Sequence, residues 1–483
     1  AGLPRSLLPG HVGACGGFLG VIERLPALVK LGITAVELMP LNDFPGARNW
    51  GYDGVLPYAP DATYGTPDEL KQLVDAAHAL GLMVFVDVVY NHFGPDGNYL
   101  HAYAPDFFTE DRHTPWGAAI DFRRRPVREF FIHNALYWLH EYRFDGLRLD
   151  AVHAIDDPDF LDELAQRVRA MVEPGRHVHL VLENENNDAR LLQTYDAQWN
   201  DDAHNAIHVL LTGEHEGYYA NYADQPAQKL ARVLAEGFAY QGEPMPSPDH
   251  RPRGTQSTQL PSTAFVFFLQ NHDQIGNRAF GQRLIELCDP RALRAASLLQ
   301  IICPQIPLLF MGEEWGSRTP FLYFTDHKAG LASKVAAGRR QEFAHFSAFA
   351  DPEARARIPD PNDPISFHHS VPDRCDVDCS EHADWLAWYC LLLAQRHAHI
   401  VPALLGTRSL GAQVLATHGV LAHWQLGNGT QLTIAANFDG VALPLPVAMA
   451  DRVLVETARG VGDEARCGRL AGYSACATLS DPR

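Results

Sequence analysis

Between residue 18 and about residue 330 the chain switches repeatedly between helical hydrophobic spacing and short unbroken apolar runs. FLGVIERLPALVKLG is amphipathic and predicts one helix stopped by Gly32. ITAVELMP (33–40), β-branched and closed by proline, predicts a buried strand. TPDELKQLVDAAHALG (66–81) reads as a helix, with Thr66 as N-cap, Pro67 in its first position, Asp68 and Glu69 in its first turn and Gly81 as stop. LMVFVDVVYNH (82–92) is the next strand. PVREFFIHNALYWLHEY (126–142) and DPDFLDELAQRVRAMVE (157–173) are helices leading into the strands FDGLRLD and HVHLVLE. Further strands are predicted at DAQW (196–199), TAFVFFLQ (263–270) and QIPLLFM (305–311).

Such alternation calls for right-handed crossovers and a parallel sheet. The runs supply seven strands. A closed (β/α)8 barrel needs one more, the first, within residues 5–12, where SLLPGHVG is a poor strand with an internal proline. The expected architecture is an α/β (β/α)8 TIM barrel over residues 1–400, with an insertion after the third strand, and an antiparallel β-domain at 401–483. After about residue 330, ASKVAAGRRQEFAHFSAFA and HADWLAWYCLLLAQRHAH predict helices around a Pro/Asp-rich loop at 351–374. Beyond residue 405 the runs VLAHWQL, QLTIAANF, LPVAMA and DRVLVETA, broken by Gly, Asn and Asp, predict the strands of the β-domain.

Composition acts mainly by exclusion. With 483 residues, 46% hydrophobic and 20% charged, the chain is long enough for a barrel plus an appendage. A formal net charge of −19 disfavours nucleic acid and anionic membranes as partners. No run of eighteen apolar residues is present, and AGLPRSLLPG lacks the apolar stretch of a secretory signal. The eight cysteines are scattered, and Cys375 and Cys379 have no second pair or histidine at zinc-finger spacing. A reducing, cytoplasmic setting is expected.

The candidate chemistry sits where the strands end. Asp150 closes FDGLRLD, Glu183 closes HVHLVLE and Asp273 follows AFVFFLQNH. Side chains at the C-terminal ends of barrel strands face the mouth where barrels place their chemistry. Paired carboxylates there suggest glycosidic bond hydrolysis. Strand alternation puts Arg148 beside Asp150, where it is expected to lower the Asp150 pKa and keep it ionised as a nucleophile; a structural ion pair is the bland alternative. Glu183 lies nearer the apolar run than Glu185, and partial desolvation there suits a general acid. Asp273 can bond sugar hydroxyls as oxocarbenium character develops, or simply pair with Arg278. On the loops, His92 reads equally as a sugar ligand or a loop cap, His153 can reach a neighbouring sugar, and Tyr52 in NWGYDG can stack on a sugar face.

The succession DVVYNH, GLRLDAVH, LENEN, QNHD resembles the four signature regions of the α-amylase superfamily, glycoside hydrolase family 13. That resemblance runs from about residue 11 to the C-terminus. It implies Asp150 as nucleophile, Glu183 as acid/base and Asp273 as transition-state stabiliser, with Arg148, His92 and His272 holding the nucleophile and the scissile sugar. Gln274, Arg278 and Glu314, within or beside the matching segments, complete the expected substrate-binding set. YNHFGPDGNYL, AQWNDDAHNAIH, FLQNHDQIGNRAFGQRL, LLFMGEEWG, PFLYFTDH and the pair GRRQEF and PDPNDPISF are similar to the trehalose-releasing members of the superfamily. The implied reaction is retaining hydrolysis of the α-1,4-glucosidic bond next to the terminal trehalose of maltooligosyltrehalose. Water is the co-substrate, a maltooligosyltrehalose synthase the pathway partner, and no cofactor or metal is expected. Asn91 lies where some amylases bind calcium, but it has no convincing partner ligands. Branching or other transglycosylating enzymes of the same fold, and a non-catalytic glycan-binding protein, are the alternatives. Family members usually carry an N-terminal β-sandwich domain, which this chain is expected to lack.

Overall fold

The computed structural model describes residues 17–114, 117–155, 157–246, 251–372, 379–450 and 452–481. Seven parallel strands, each next to its successor in the chain, form one curled sheet: β1 (Ala35–Leu38), β2 (Met83–Val88), β3 (Gly146–Leu149), β4 (His179–Leu182), β5 (Ala197–Trp199), β6 (Phe265–Phe267) and β7 (Ile306–Pro307). The expected first strand at 5–12 lies outside the described residues. Strand β7 is much shorter than the run QIPLLFM, because only Ile306 and Pro307 make ladder pairs with β6.

The residues alternate across the sheet. Leu147 and Leu149 of β3 point outward and share a core with Phe131, Leu139, Phe160 and Leu164 of the helices Arg125–Glu141 and Pro158–Met171. On the concave side Val181, Trp199, Val266 and Phe268 form a separate apolar layer. Arg148 and Asp87 are in register across β2 and β3, so both turn into that interior.

Local signals mostly act as read. The helix Pro67–Ala79 opens on a full capping box, with the Thr66 hydroxyl accepting from Glu69 N and the Glu69 carboxylate accepting from Thr66 N. One expected element differs: FLGVIERLPALVKLG forms two helices, Gly17–Ile22 and Leu25–Leu31. Pro26 causes the break, since it lacks an amide hydrogen and its ring clashes with a preceding helical turn. Gly32 then ends the second helix at φ 103°, a left-handed conformation that glycine adopts without strain.

The insertion after β2 carries the hairpin Phe108–Thr114 and Gly117–Ile120. At the C-terminal end, β8 (Arg408–Leu415), β9 (Gly419–Gln425), β10 (Gln431–Asn437), β11 (Arg452–Glu456) and β12 (Ser474–Ser480) make an antiparallel sheet in the order β8-β9-β10-β12-β11. Trp424, Ile434 and Ala477 of that sheet share a buried cluster with Leu298 and Ile302 of the helix Pro290–Ile302. LPVAMA forms no strand: the neighbouring pair Leu443 and Pro444, just before it, bridges to Leu470 and Arg469, and the prolines of LPLP remove ladder donors. Among the described residues, no helix is long and apolar enough to cross a membrane.

Candidate active site

Asp150 follows β3 directly, Glu183 follows β4, and Asp273 lies in the first turn of the short helix His272–Gly276 beyond β6. Asn271 caps that helix, its side-chain oxygen accepting from Asp273 N at 2.8 Å. The strand ends therefore converge on one mouth.

A single guanidinium organises it. Arg148, 1% exposed, donates through Nη1 to Asp150 Oδ1 at 2.9 Å and through Nη2 to Glu183 Oε2 at 2.7 Å; Nη1 also pairs with Asp87 Oδ2. Its Cζ lies 4.2 Å from the Trp199 ring centroid, so an aromatic face covers the cation without competing for its donors. Asp87 also accepts from the Tyr52 hydroxyl at 2.6 Å. Asn91 Nδ2 donates to Asp150 Oδ2 at 2.7 Å and to the Asp150 carbonyl at 3.0 Å, fixing the carboxylate from the side opposite Arg148.

Backbone strain helps to aim the second acid. Ala151 sits at φ 41°, costly for a residue with a Cβ, and from there its N–H reaches Glu183 Oε2 at 2.9 Å. The Glu183 carboxylate thus takes two donors on one oxygen. Asp150 and Glu183 sit on the two arms of one guanidinium, near enough for the Asp150 charge to act on Glu183.

Electrostatics corrects one expectation. Burial raises the Asp150 pKa, and this outweighs the lowering by Arg148, so the net direction is up rather than down. Burial also raises Glu183, against Arg148 and with the help of the Asp150 charge. Asp273 is pushed up to about 6 by burial and by Glu183. Asp87 rises to about 6, again mainly by burial. One guanidinium cannot offset four desolvated carboxyl groups.

The other expected residues divide. His272 joins the network, its Nε2 2.8 Å from the Tyr52 hydroxyl and its ring stacked on Tyr52 at 5.2 Å. Tyr52 is therefore already stacked on protein and anchored through its hydroxyl. His92 uses Nε2 on the Tyr52 carbonyl at 2.9 Å and Nδ1 on Asn91, which fits its loop-cap reading, and burial lowers its pKa to about 4. His153 Nδ1 accepts from Glu185 N at 3.3 Å, near the rim. The Gln274 Oε1 is buried without a protein partner, as a group awaiting a ligand would be. Arg278 does not pair with Asp273. It holds Glu214 in two hydrogen bonds of 2.8 and 2.7 Å, while Asp273 accepts from Asn277 Nδ2 at 2.6 Å. Glu314 accepts from Gly312 N at 2.8 Å, and its charge acts on the buried Arg283.

Two neighbours were not singled out from sequence. Trp199 and Asp201 both lie in the segment AQWNDDAHNAIH, whose apolar run ends in Trp199 and whose acids follow at once. Asp202 is spent on Arg253, Asn187 and the loop amides of Ala239 and Tyr240. Asp201 faces Glu183 and Asp273 electrostatically, and burial with those charges pushes it up to about 8.

A strand-end nucleophile candidate, a desolvated partner acid and a third carboxylate in a half-barrel with a C-terminal β-domain define a glycoside hydrolase of the α-amylase class. The comparisons agree. The α-amylase catalytic-domain family matches residues 3–114, and a domain family of unknown function, DUF3459, matches residues 407–476. A malto-oligosyltrehalose trehalohydrolase from Deinococcus radiodurans is 42% identical over 395 residues, covering 80% of this chain and 64% of the relative. One from Mycobacterium tuberculosis is 36% identical over 485 residues, covering 96% of this chain and 80% of the relative. A crystal structure from Salmonella typhimurium, described as a candidate α-amylase, superposes with a TM-score of 0.90 at 41% identity, covering 99% of this chain and 80% of that one. A glucan branching enzyme from Jannaschia aligns with only 29% of this chain. The chain belongs to the malto-oligosyltrehalose trehalohydrolase family.

Proposed function

We propose that the protein hydrolyses the α-1,4-glucosidic bond next to the terminal trehalose of maltooligosyltrehalose, releasing trehalose with retention of configuration. The chemistry rests on one observation: Arg148 holds the carboxylates of Asp150 and Glu183 on the two arms of a single guanidinium. Such closeness suits a double displacement, for which carboxyl groups about 5–5.5 Å apart are usual. The substrate rests on the relatives' shared name over most of this chain.

In this reading Asp150, ionised and steadied by Asn91 and Arg148, attacks the anomeric carbon. Glu183 carries its proton on Oε1, because Oε2 is occupied by Arg148 and Ala151 N, and delivers it to the leaving oxygen. Glu183 then takes a proton from water, and the hydroxide formed opens the Asp150 ester. Asp273 and Gln274 bind hydroxyls of the reacting sugar, with His272 and Tyr52 beneath it. Residues 1–400 make up the catalytic unit and 401–483 the β-domain. The described cysteines are free thiols, in keeping with a cytoplasmic protein that works after a maltooligosyltrehalose synthase.

Incubation with maltotriosyltrehalose and chromatography of the products tests this. Free trehalose and maltotriose are expected. Transfer of glucan chains to a sugar acceptor, with no free trehalose, would instead indicate a branching or transglycosylating enzyme. If Asp150→Asn folds normally and retains full activity, the assigned chemistry fails.

A further inference from the structure

At the opposite end of the sheet from the carboxylates, three potential metal ligands meet. His177 and His179 are alternate residues leading into β4, so both side chains turn the same way. Asp196 immediately precedes β5, the parallel neighbour of β4, and its amide bonds to Leu180 O at 2.9 Å. One donor atom from each of the three lies within 4.8 Å of the others. The two imidazoles meet edge to face with centroids 4.4 Å apart, and His177 Nε2 is 3.5 Å from Asp196 Oδ1.

We propose that His177, His179 and Asp196 form a binding site for a borderline divalent cation of the Zn2+ class, completed by water. Two imidazoles and a carboxylate favour Zn2+, Co2+ or Ni2+ over Mg2+ or Ca2+, which prefer oxygen-only shells. Tetrahedral bonds of about 2.0–2.1 Å place ligand atoms roughly 3.3 Å apart, so the side chains need to close by little more than an ångström.

The surroundings already orient two of the ligands. The His179 ring stacks on Phe85 at 5.4 Å with 25° between planes. Asp196 Oδ2 accepts from Leu180 N at 2.7 Å and pairs with Arg169, which leaves Oδ1 turned towards His177. These contacts are the kind of outer support that fixes a metal ligand. Arg169 also opposes a second positive charge, so affinity on the order of micromolar is expected rather than nanomolar. His177 is 63% exposed at its side chain, which gives the ion a route in from solvent.

The four-residue step from His179 to Glu183 spans about 13 Å of strand, so the ion would clip β4 to β5 without taking part in the chemistry. The expected role is structural.

The test uses tag-free full-length protein, stripped with a chelator and titrated calorimetrically with ZnCl2. His177→Ala serves as the comparison because that side chain is exposed and, among the described residues, its ring and ion-pair contacts are with His179 and Asp196. The wild-type chain is expected to bind one more Zn2+ than His177→Ala, and Zn2+ should raise its melting temperature while leaving the variant's unchanged. Asp196→Asn should weaken the same event at least tenfold. Identical titrations and melting shifts for wild type and His177→Ala would overturn the proposal, since the remaining histidines would then explain all binding.

Discussion

Replacing Arg148 by methionine removes the charge that three buried carboxylates share while keeping an apolar stem against Trp199. Two unit charges 4 Å apart at an effective dielectric of about 20 interact by about 4 kcal/mol, equivalent to about three pKa units. Arg148 contacts Asp150 at 2.9 Å and Glu183 at 2.7 Å, so this is a fair scale for each. Water entering the vacated volume recovers part of it, leaving an upward shift on the order of one to two units. Asp150 already lies above its ordinary range through burial, so the shift adds to an existing one. A nucleophile must be ionised, and a raised carboxyl loses activity as pH falls through its pKa. The acid limb of kcat/KM should therefore move to higher pH by one to two units, and activity on that limb should fall by about ten- to a hundredfold. The uncompensated carboxylates should also cost roughly 3–5 kcal/mol in urea unfolding at neutral pH. Lowering the pH should restore part of that stability, because protonation removes the repulsion. An acid limb within half a unit of wild type, with kcat/KM within about tenfold, would refute the view that Arg148 sets the charge state of the site.

Asn91→Ala removes two hydrogen bonds to Asp150, one of them to a carboxylate oxygen, and should lower kcat by about ten- to a hundredfold, with the acid limb moving upward; steady-state pH profiles check both. Glu183→Gln should reduce hydrolysis of maltotriosyltrehalose by about 10²–10⁴ yet spare the first step on an α-glucosyl fluoride, whose leaving group needs no proton, and equal losses on the two substrates would remove Glu183 from the acid role. Asp201 holds its proton up to about 8, so Asp201→Asn should change little at pH 7. Above pH 8 the wild-type Asp201 charge holds the Glu183 proton on, so the variant's alkaline limb should fall at lower pH, and an unchanged limb would exclude Asp201 from the electrostatics of the site.

The segments that became strands and helices were legible because their signals are local. Thr66, Pro67 and Glu69 specify a helix start by hydrogen bonds within four residues, and the β-branched runs ending at Leu38, Val88 and Leu182 need only burial on both faces. Pro26 shows where hydrophobic period alone misleads, since the period continues through a residue the helix cannot accommodate. The positions of Asp150 and Glu183 directly after their strands were equally plain, because strand alternation and length fix which side chains reach a barrel mouth, whereas Asp273 sits in the first turn of the helix beyond β6.

Charge state and partnership were not legible. Sequence placed Arg148 beside Asp150 and implied a lowered pKa, but only the folded interior sets how much water each carboxyl loses, and that loss prevails. Spacing offered Arg278 to Asp273, five residues away in the chain, whereas packing delivers it to Glu214 on another element. Trp199 lies about fifty residues from Arg148 in sequence and comes over its guanidinium only because β3 and β5 curl around the same interior. The sequence by itself determined which residues end the strands, and with them the class of chemistry. The tertiary structure decided which of those residues share protons and charge, because desolvation and distance are properties of the assembled interior and not of any one segment.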